Sequence, residues 1–410
     1  MRPLPATKPL LSSLMVLLGA FLCADCNDPE INSLYSTGTQ DLPSPTITSI
    51  SPPGLALAGM DTVIVQGTNL SPDVNKDFLF FNGKKATLLT ASATQLTAIA
   101  PLVVGDSVAV RVSVLGALAF SNTAIYSLAA AVVPFGDLLP ATPVAPAEKA
   151  VSLATDTSGN LYVAYTYGVA DAGILKFTPG GVRSRYAAAT PGVAAWTNVR
   201  FGPSGYLYAV RNVFAIYRFA QGGGAAATVW RTAPGGTYIA DIDFDQDGNM
   251  WAVGNNANIY RILQDKTLTA YPFVGNIRCA RVFEGYLYFS ANASGAEKVW
   301  RAQISAGGLG TPEVYFDLSA VMPTVTPKSL TFSTDRTLVI ASSSDAGVLI
   351  VPPGGSASTP FQAFRSSFAA GLSVIAWGSS TNLYCATADG FLLRFMMRGR
   401  SSAPYYGSTL

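Results

Sequence analysis

The segment Asp247-Gly-Asn-Met-Trp-Ala252 decides the fold, because five variants of it occur elsewhere after residue 150. Each copy is a polar turn followed by a short strand with an apolar anchor residue, and a strand of the form apolar–x–basic–apolar usually comes next. Such an alternation of turns and short strands indicates an all-β repeat protein. The other copies are Ser158-Gly-Asn-Leu-Tyr-Val163, Ser204-Gly-Tyr-Leu-Tyr-Ala209, Glu284-Gly-Tyr-Leu-Tyr-Phe289, Asp335-Arg-Thr-Leu-Val-Ile340 and Ser380-Thr-Asn-Leu-Tyr-Cys385.

The spacing of the copies predicts the architecture. Successive anchor residues lie 37 to 51 residues apart. Short strands that repeat every ~40–50 residues are typical of β-propeller blades with four strands each, whereas the coils of a β-solenoid, the alternative, usually repeat at about 20–30 residues. We therefore predict a β-propeller over residues 151–410, with six blades. The anchors are Leu161, Leu207, Met250, Leu287, Leu338 and Leu383.

The repeat resembles NHL-type six-bladed propellers, most clearly over residues 244–253. The fifth copy departs from the pattern, with Arg336 at the position of the turn glycine and Val339 at the position of the aromatic residue. In the other copies we expect the aromatic residue to pack between blades, because large side chains fill the wedge between radially arranged sheets. These residues are Tyr162, Tyr208, Trp251, Tyr288 and Tyr384.

Residues 45–128 have a different pattern, in which short runs of alternating apolar and polar residues are separated by Gly, Pro, Asn and Asp. This alternation predicts half-buried strands of a small antiparallel sandwich. Five segments, in order, resemble an IPT/TIG domain, and the resemblance implies an immunoglobulin-like sandwich with a spacing or binding role and no catalytic residues. The segments are residues 45–54, residues 58–70, Phe80-Phe-Asn-Gly83, Gln95-Leu-Thr97 before Pro101, and Ser121-Asn122 before Tyr126.

The first 26 residues are predicted to be a signal for export. Arg2 and Lys8 form a basic region, and the apolar run over residues 10–23 is too short to span a bilayer comfortably. A short membrane anchor that is retained is the alternative. The polar residues 27–44 then form a flexible tether, and residues 129–150, rich in Ala and Pro, form a linker that can add an edge strand to the propeller.

Two cysteines near the end of the signal are candidates for lipid attachment. Cys23 and Cys26 stand where a bacterial lipoprotein signal has one cysteine, although Leu22 and Asp25 before them depart from the usual small-residue pattern. We expect an exported protein of the cell envelope or outer surface that contacts the membrane through this lipid alone, with simple secretion as the alternative. The order of an IPT/TIG domain and an NHL-type propeller also resembles bacterial envelope lipoproteins, some of which bind glycans.

The composition excludes several kinds of chemistry. The chain contains no histidine, which removes Ser-His-Asp and Cys-His catalysis, imidazole acid–base catalysis and histidine-ligated zinc. Its 26 basic and 24 acidic residues give a net charge of +2. Since no strong positive field results, we expect no binding of nucleic acid.

Charged residues on the predicted inner strands form one candidate site. Superposition of the repeats places Arg200, Asp243 and Arg281 at corresponding positions in neighbouring blades, either as a structural ion-pair network near the axis or as a site that recognises an anion. Asp243, Asp245 and Asp247 imitate the start of a calcium loop, but Gly254 stands where such a loop needs a glutamate. We interpret them as a strand end and a turn, and we expect no metal and no cofactor.

These observations predict a non-catalytic binding protein whose propeller presents a glycan or protein ligand site on an immunoglobulin-like spacer. The candidate contacts are loop aromatics, because sugars stack on exposed rings. One alternative is a structural or assembly component of an envelope complex. A metal-dependent hydrolase or lactonase using Asp241 and Asp243 is another. The residues predicted to contact the ligand are Trp196, Tyr206, Tyr286, Arg200, Asp243 and Arg281.

Overall fold

The computed structural model describes residues 42–140 and 147–409, and within these ranges the chain is almost entirely β-structure. The predicted all-β class, with a sandwich followed by a propeller, is confirmed. The predicted signal, the lipidation candidates Cys23 and Cys26 and nearly all of the tether lie outside the described residues. Within the described ranges, no helix has the length and apolar character needed to cross a membrane.

Two sheets face each other in the N-terminal sandwich. One has the strand order β1-β3-β7-β6 and the other the order β2-β9-β8-β4-β5, and their neighbouring strands are antiparallel except for the parallel pair β2–β9. The strands are β1 (Thr46–Ser51), β2 (Leu55–Ala58), β3 (Thr62–Thr68), β4 (Asp77–Phe81), β5 (Lys84–Lys85), β6 (Thr87–Ala91), β7 (Gln95–Ile99), β8 (Gly105–Val114) and β9 (Ala124–Ala130).

The alternating pattern of the sequence builds the sandwich core. Successive residues of a strand point to opposite faces of its sheet, so Val108, Val110 and Val112 on β8 all point inward and are fully buried. Asn122 ties the start of β1 to the start of β9: its side chain accepts a hydrogen bond from the backbone N–H of Ile47 at 2.7 Å and donates one to the Ile47 carbonyl at 3.0 Å. The Ser121-Asn122 segment of the resemblance thus has a structural role.

The propeller contains the remaining strands and two short α-helices, α1 (Leu318–Val321) and α2 (Tyr406–Thr409). Two 3₁₀ helices, at Pro203–Gly205 and Gln362–Phe368, lie in its connections. The strands are β10 (Val132–Pro134), β11 (Glu148–Thr155), β12 (Leu161–Tyr167), β13 (Ala170–Phe177), β14 (Arg183–Ala187), β15 (Asn198–Phe201), β16 (Leu207–Val210), β17 (Ala215–Arg218), β18 (Thr228–Thr232), β19 (Asp241–Phe244), β20 (Met250–Val253), β21 (Asn255–Ile262), β22 (Leu268–Phe283), β23 (Tyr286–Ala293), β24 (Ala296–Ser305), β25 (Gly308–Leu309), β26 (Glu313–Asp317), β27 (Pro327–Phe332), β28 (Leu338–Ser342), β29 (Val348–Val351), β30 (Leu372–Trp377), β31 (Asn382–Thr387) and β32 (Leu392–Met396).

Consecutive antiparallel strands form the propeller sheets: β11 to β14, β15 to β18, β19 to β25, β27 to β29, and β30 to β32. The long strand β22 joins two repeat units, because its first half pairs with β21 and its second half pairs with β23. Every anchor residue predicted from the repeat lies on the second strand of its unit, where the strands are buried on both faces. The count of six blades stays a prediction of the repeat.

The last sheet is completed by a strand from the start of the propeller. Strand β10 pairs with β32 as the outer strand, with Val132 opposite Phe395. The pairing is extended by hydrogen bonds from Met396 N–H to the Ala131 carbonyl (2.8 Å) and from Phe135 N–H to the Leu392 carbonyl (2.9 Å). This pairing closes the ring, since it covers an edge that would otherwise be open.

The sandwich packs against the same closing sheet. Leu57 of β2 lies in one apolar cluster with Phe364 and Phe368 of the second 3₁₀ helix. At the edge of this cluster Arg398 forms an ion pair with Asp61. The two folds are therefore joined by side-chain packing as well as by the chain itself.

Candidate functional site

The turn and the aromatic residue of the repeat form one structural unit in two of the copies. Asp156 accepts hydrogen bonds from the backbone N–H of Asn160 at 2.9 Å and from the Tyr162 hydroxyl at 3.0 Å. Asp245 does the same with the N–H of Asn249 at 2.8 Å and with Trp251 Nε1 at 3.0 Å. In these two copies the acid that fixes the turn therefore also fixes the buried aromatic residue of the repeat.

The three aspartates that imitate a calcium loop do not converge. Asp243 is fully buried and accepts from the N–H of Val282 at 2.7 Å, Asp245 holds its own turn, and Asp247 is exposed. In residues 42–140 and 147–409, no three His, Cys, Asp or Glu side chains lie close enough together to hold a metal ion. The carboxylates of Asp243 and Asp245 accept hydrogen bonds from backbone N–H groups and do not form a metal site.

The basic residue of the third strand stacks on an aromatic ring in most units, because a cation is attracted to the face of a π-system. The distance from the cation to the ring centroid is 4.2 Å for Arg218 over Tyr206 and 5.1 Å for Arg301 over Tyr286. This explains the apolar–x–basic–apolar pattern as a structural feature. The other pairs are Lys176 with Tyr162, Arg261 with Trp251 and Arg394 with Phe135.

The loop aromatics predicted to contact ligand differ in exposure. Trp196 is 1% exposed and packs edge-on against Tyr217 and Phe219, so its ring is part of the core and not a surface for a sugar. Trp196 is therefore not available for the predicted contact with a ligand, because its ring is enclosed by two rings of its own repeat unit. Tyr206 and Tyr286 are half-buried, each beneath its arginine.

Tyr206 lines a cavity between the second and third repeat units, with a volume of about 150 Å³. We call it the interblade pocket; its walls include Tyr206, Tyr208, Arg218, Trp230 and Gln264. Tyr208 meets Trp230 edge-on at 5.2 Å between ring centroids, and Trp230 is half-buried. The pocket therefore combines aromatic rings, a guanidinium group and an amide. Trp230 could not be found from the repeat, because the outer strand β18 is not part of the repeated pattern.

The second group of predicted residues meets at the axis, on the inner strands β15, β19 and β22. Arg281 Nη1 lies 3.6 Å from Asp243 Oδ1, and both side chains are at least nine-tenths buried. Asp241 and Arg200 are also buried and lie close enough to this pair to interact with it electrostatically. Burial raises the pKa of Asp241 to about 6, against the opposing effect of Arg200 and Arg281. The residues that superposition of the repeats places at corresponding positions, Arg200, Asp243 and Arg281, lie together at the axis.

The C-terminal segment covers this cluster. A cavity of about 50 Å³, which we call the axial pocket, is lined by Arg200, Arg281 and Thr331 from the inner strands and by residues 402–405. The Tyr405 hydroxyl donates to the Phe201 carbonyl at 2.6 Å, and the Arg281 guanidinium lies 5.9 Å from the Tyr405 ring centroid. Burial raises the pKa of Tyr405 well above its usual value. This lid could not be predicted from the repeat, because the tail follows the last repeat unit.

Comparison with known proteins agrees with this architecture. Residues 45–127 match the IPT/TIG domain family. The chain is therefore an IPT/TIG domain followed by a β-propeller. No curated protein matches the chain.

Solved structures share the fold at low identity. An auxiliary nutrient binding protein from Bacteroides thetaiotaomicron is 12% identical, with a TM-score of 0.50 over 87% of this chain and 98% of that chain. A putative phosphatase from Bacteroides thetaiotaomicron is 11% identical, with a TM-score of 0.55 over 90% of this chain and 100% of that chain. A luciferin-regenerating enzyme is 13% identical, with a TM-score of 0.50 over 63% of this chain and 94% of that chain. At this identity the likeness concerns the fold alone.

Proposed function

We propose that the protein is an exported, non-catalytic binding protein and that the interblade pocket holds one sugar unit of a glycan. The observation that carries the proposal is the grouping of Tyr206, Trp230 and Arg218 around one cavity. Sugars present apolar C–H faces to aromatic rings and hydroxyls to polar side chains. Both kinds of contact are available in this pocket.

The size of the pocket limits the ligand. A volume of about 150 Å³ is below the ~300–1,000 Å³ of pockets that enclose a drug-sized molecule. It accommodates on the order of ten water-sized groups, about as many as the non-hydrogen atoms of one hexose. A terminal or side-branch sugar fits this space, with the rest of the glycan outside.

The acids near the axis support the non-catalytic part of the proposal. Asp241 accepts from the N–H of Ala280 at 2.8 Å, and Asp243 from the N–H of Val282 at 2.7 Å. A carboxylate held by the backbone of the next repeat unit has a structural task, and no histidine is present to replace it in acid–base catalysis. The luciferin-regenerating enzyme shares the fold, but folds of this kind host unrelated functions.

Binding to an oligosaccharide array, followed by titration calorimetry with the strongest hit, tests the proposal. Tyr206→Ala is expected to weaken binding by about tenfold or more, since it removes a ring and the partner of Arg218. The matched control is Tyr286→Ala, which removes the same ring–arginine pair in another unit, away from the interblade pocket. Equal loss in both variants, or no hit on the array, would contradict the proposal.

For location, we propose a lipid on Cys23 or Cys26 that holds the protein at the cell envelope. Arg2 and Lys8 before an apolar run support export. Mass spectrometry of the mature N-terminus is the test. An acylated cysteine at residue 1 of the mature chain supports the anchor, and an unmodified N-terminus beyond Cys26 makes the protein a secreted one.

A further inference from the structure

The arginines at the axis have more hydrogen-bond donors than acceptors to receive them. Arg200 is 4% exposed and Arg281 is 7% exposed. Arg200 Nε and Arg281 Nε and Nη1 have no hydrogen-bond partner among the described residues, and Arg200 Nη1 reaches only the Leu153 carbonyl, at 3.5 Å. A buried guanidinium with unpaired N–H groups is unusual, because burying such groups without an acceptor costs free energy. The unpaired groups therefore indicate that an acceptor is missing.

The neighbouring aspartates do not accept hydrogen bonds from these unpaired N–H groups. Each directs an oxygen to a backbone N–H of β22, and Asp241 uses its second oxygen for the N–H of Ile242 at 2.8 Å. Asp243 Oδ1 itself lacks a hydrogen-bond partner in the described part of the chain, because Arg281 Nη1 stays 3.6 Å away. The ion pair is therefore loose, and the guanidinium groups remain available on their other side.

That other side is the axial pocket. Arg200 and Arg281 line it, whereas Asp241 and Asp243 do not. Burial and the repulsion of Arg281 lower the pKa of Arg200. An anion placed between them would relieve this repulsion and accept the unpaired N–H groups.

We propose that the axial pocket binds a small monoanionic carboxylate between Arg200 and Arg281, at a site independent of the interblade pocket. The planar guanidinium fork matches the two oxygens of a carboxylate. A volume of about 50 Å³ accommodates three or four water-sized groups, which is the size of formate or acetate.

The charge balance selects a monoanion. Two arginines and two aspartates share the site, so their formal charges cancel when all four are ionised. A monoanion adds a single negative charge next to Asp243, whereas sulfate or a phosphate dianion adds two and is repelled more strongly. The Thr331 side chain also lines the pocket and can complete the contacts of the anion.

The experiment is titration of the full mature protein with sodium formate and sodium acetate at constant ionic strength, with sodium chloride and sodium sulfate as comparison salts. Saturable one-to-one binding of the carboxylates, with at least about tenfold weaker binding of sulfate, is expected. Arg200→Lys and Arg281→Lys keep the charge but lose the fork, so each should weaken carboxylate binding about tenfold or more. Arg301→Lys on β24, outside both pockets, is the matched control and should bind carboxylate as the wild type does.

A crystal structure with acetate provides a second measurement that does not depend on the folding of any variant. Density for a planar anion in contact with Arg200 and Arg281 supports the proposal. Water alone in the axial pocket at saturating acetate overturns it. Titrations in which both lysine variants fold and still bind acetate with unchanged affinity also overturn it, because the anion must then lie elsewhere.

Discussion

Arg281 and Asp243 join two neighbouring repeat units through a buried ion pair, with Nη1 3.6 Å from Oδ1. Removing one partner of such a pair leaves the other charge buried without compensation. We therefore expect Asp243→Asn to lower the free energy of unfolding by about 3–5 kcal/mol in urea titrations. The control is Glu313→Gln, which breaks the exposed pair with Arg301 and should change stability by less than about 1 kcal/mol. Similar small changes in both variants would mean that the axial pair contributes little.

Asp241 makes stability depend on pH in the direction opposite to a salt-bridged acid. Burial raises its pKa to about 6 in the folded protein, above the value near 3.8 of an unperturbed aspartate. The stability that its protonated form provides is complete below pH 4 and is lost as the pH rises through 6, at up to about 1.4 kcal/mol per pH unit. The wild-type free energy of unfolding minus that of Asp241→Asn should therefore fall between pH 4 and pH 7. A constant difference across this range would refute the raised pKa.

Two buried tyrosines at equivalent positions should respond differently to loss of the hydroxyl. The Tyr162 hydroxyl donates to Asp156 at 3.0 Å, whereas the Tyr384 hydroxyl has no hydrogen-bond partner among the described residues. Tyr162→Phe is expected to destabilise the protein by about 1–3 kcal/mol, since a hydrogen bond to a charged acceptor is lost. Tyr384→Phe should be neutral or stabilising. Thermal melts of both variants measure the change in stability. Equal losses of stability would contradict the assignment of Asp156 as the hydrogen-bond partner of Tyr162.

Phe135 follows the closing strand β10 and fixes it in place. Its ring lies 4.6 Å from the ring of Tyr384 and 6.1 Å from that of Phe177, and it is 7% exposed. We expect Phe135→Ala to lower the free energy of unfolding by about 3–5 kcal/mol, as for other buried phenylalanines. The propeller of this variant should also be cleaved more readily in limited proteolysis. Phe391→Ala is the matched control, because Phe391 is 66% exposed and lies in the turn just before β32 of the same sheet. Resistance to protease equal to that of the wild type would argue against a closing role.

The repeat predicts strand positions well because it records burial and turn chemistry within one unit. Leu161 is the first residue of its strand and Leu383 is the second residue of its strand, as expected. The turn residues come directly before each strand in the sequence. The repeat could also group Arg200 and Arg281 with Asp243, because equivalent positions on the inner strands all face the axis.

Contacts between distant segments could not be predicted in this way. Tyr405 reaches the axis through a tail outside the repeat, and its hydrogen bond to Phe201 joins residues 204 positions apart. Trp196 looked like a loop residue, but its ring is enclosed by side chains of β17 and the residue after it. Such positions depend on how the sheets are arranged around the axis, which no local pattern contains.

The closure of the ring by β10 has a mechanical consequence. The sandwich precedes β10 directly, so tension applied through the sandwich reaches the propeller at the pairing of β10 with β32 and at the contact between Asp61 and Arg398. A pull along β10 acts in shear on its hydrogen bonds to β32. The strand that completes the ring is thus also part of the mechanical joint between the two folds, together with the packing of Leu57 and the pair of Asp61 and Arg398.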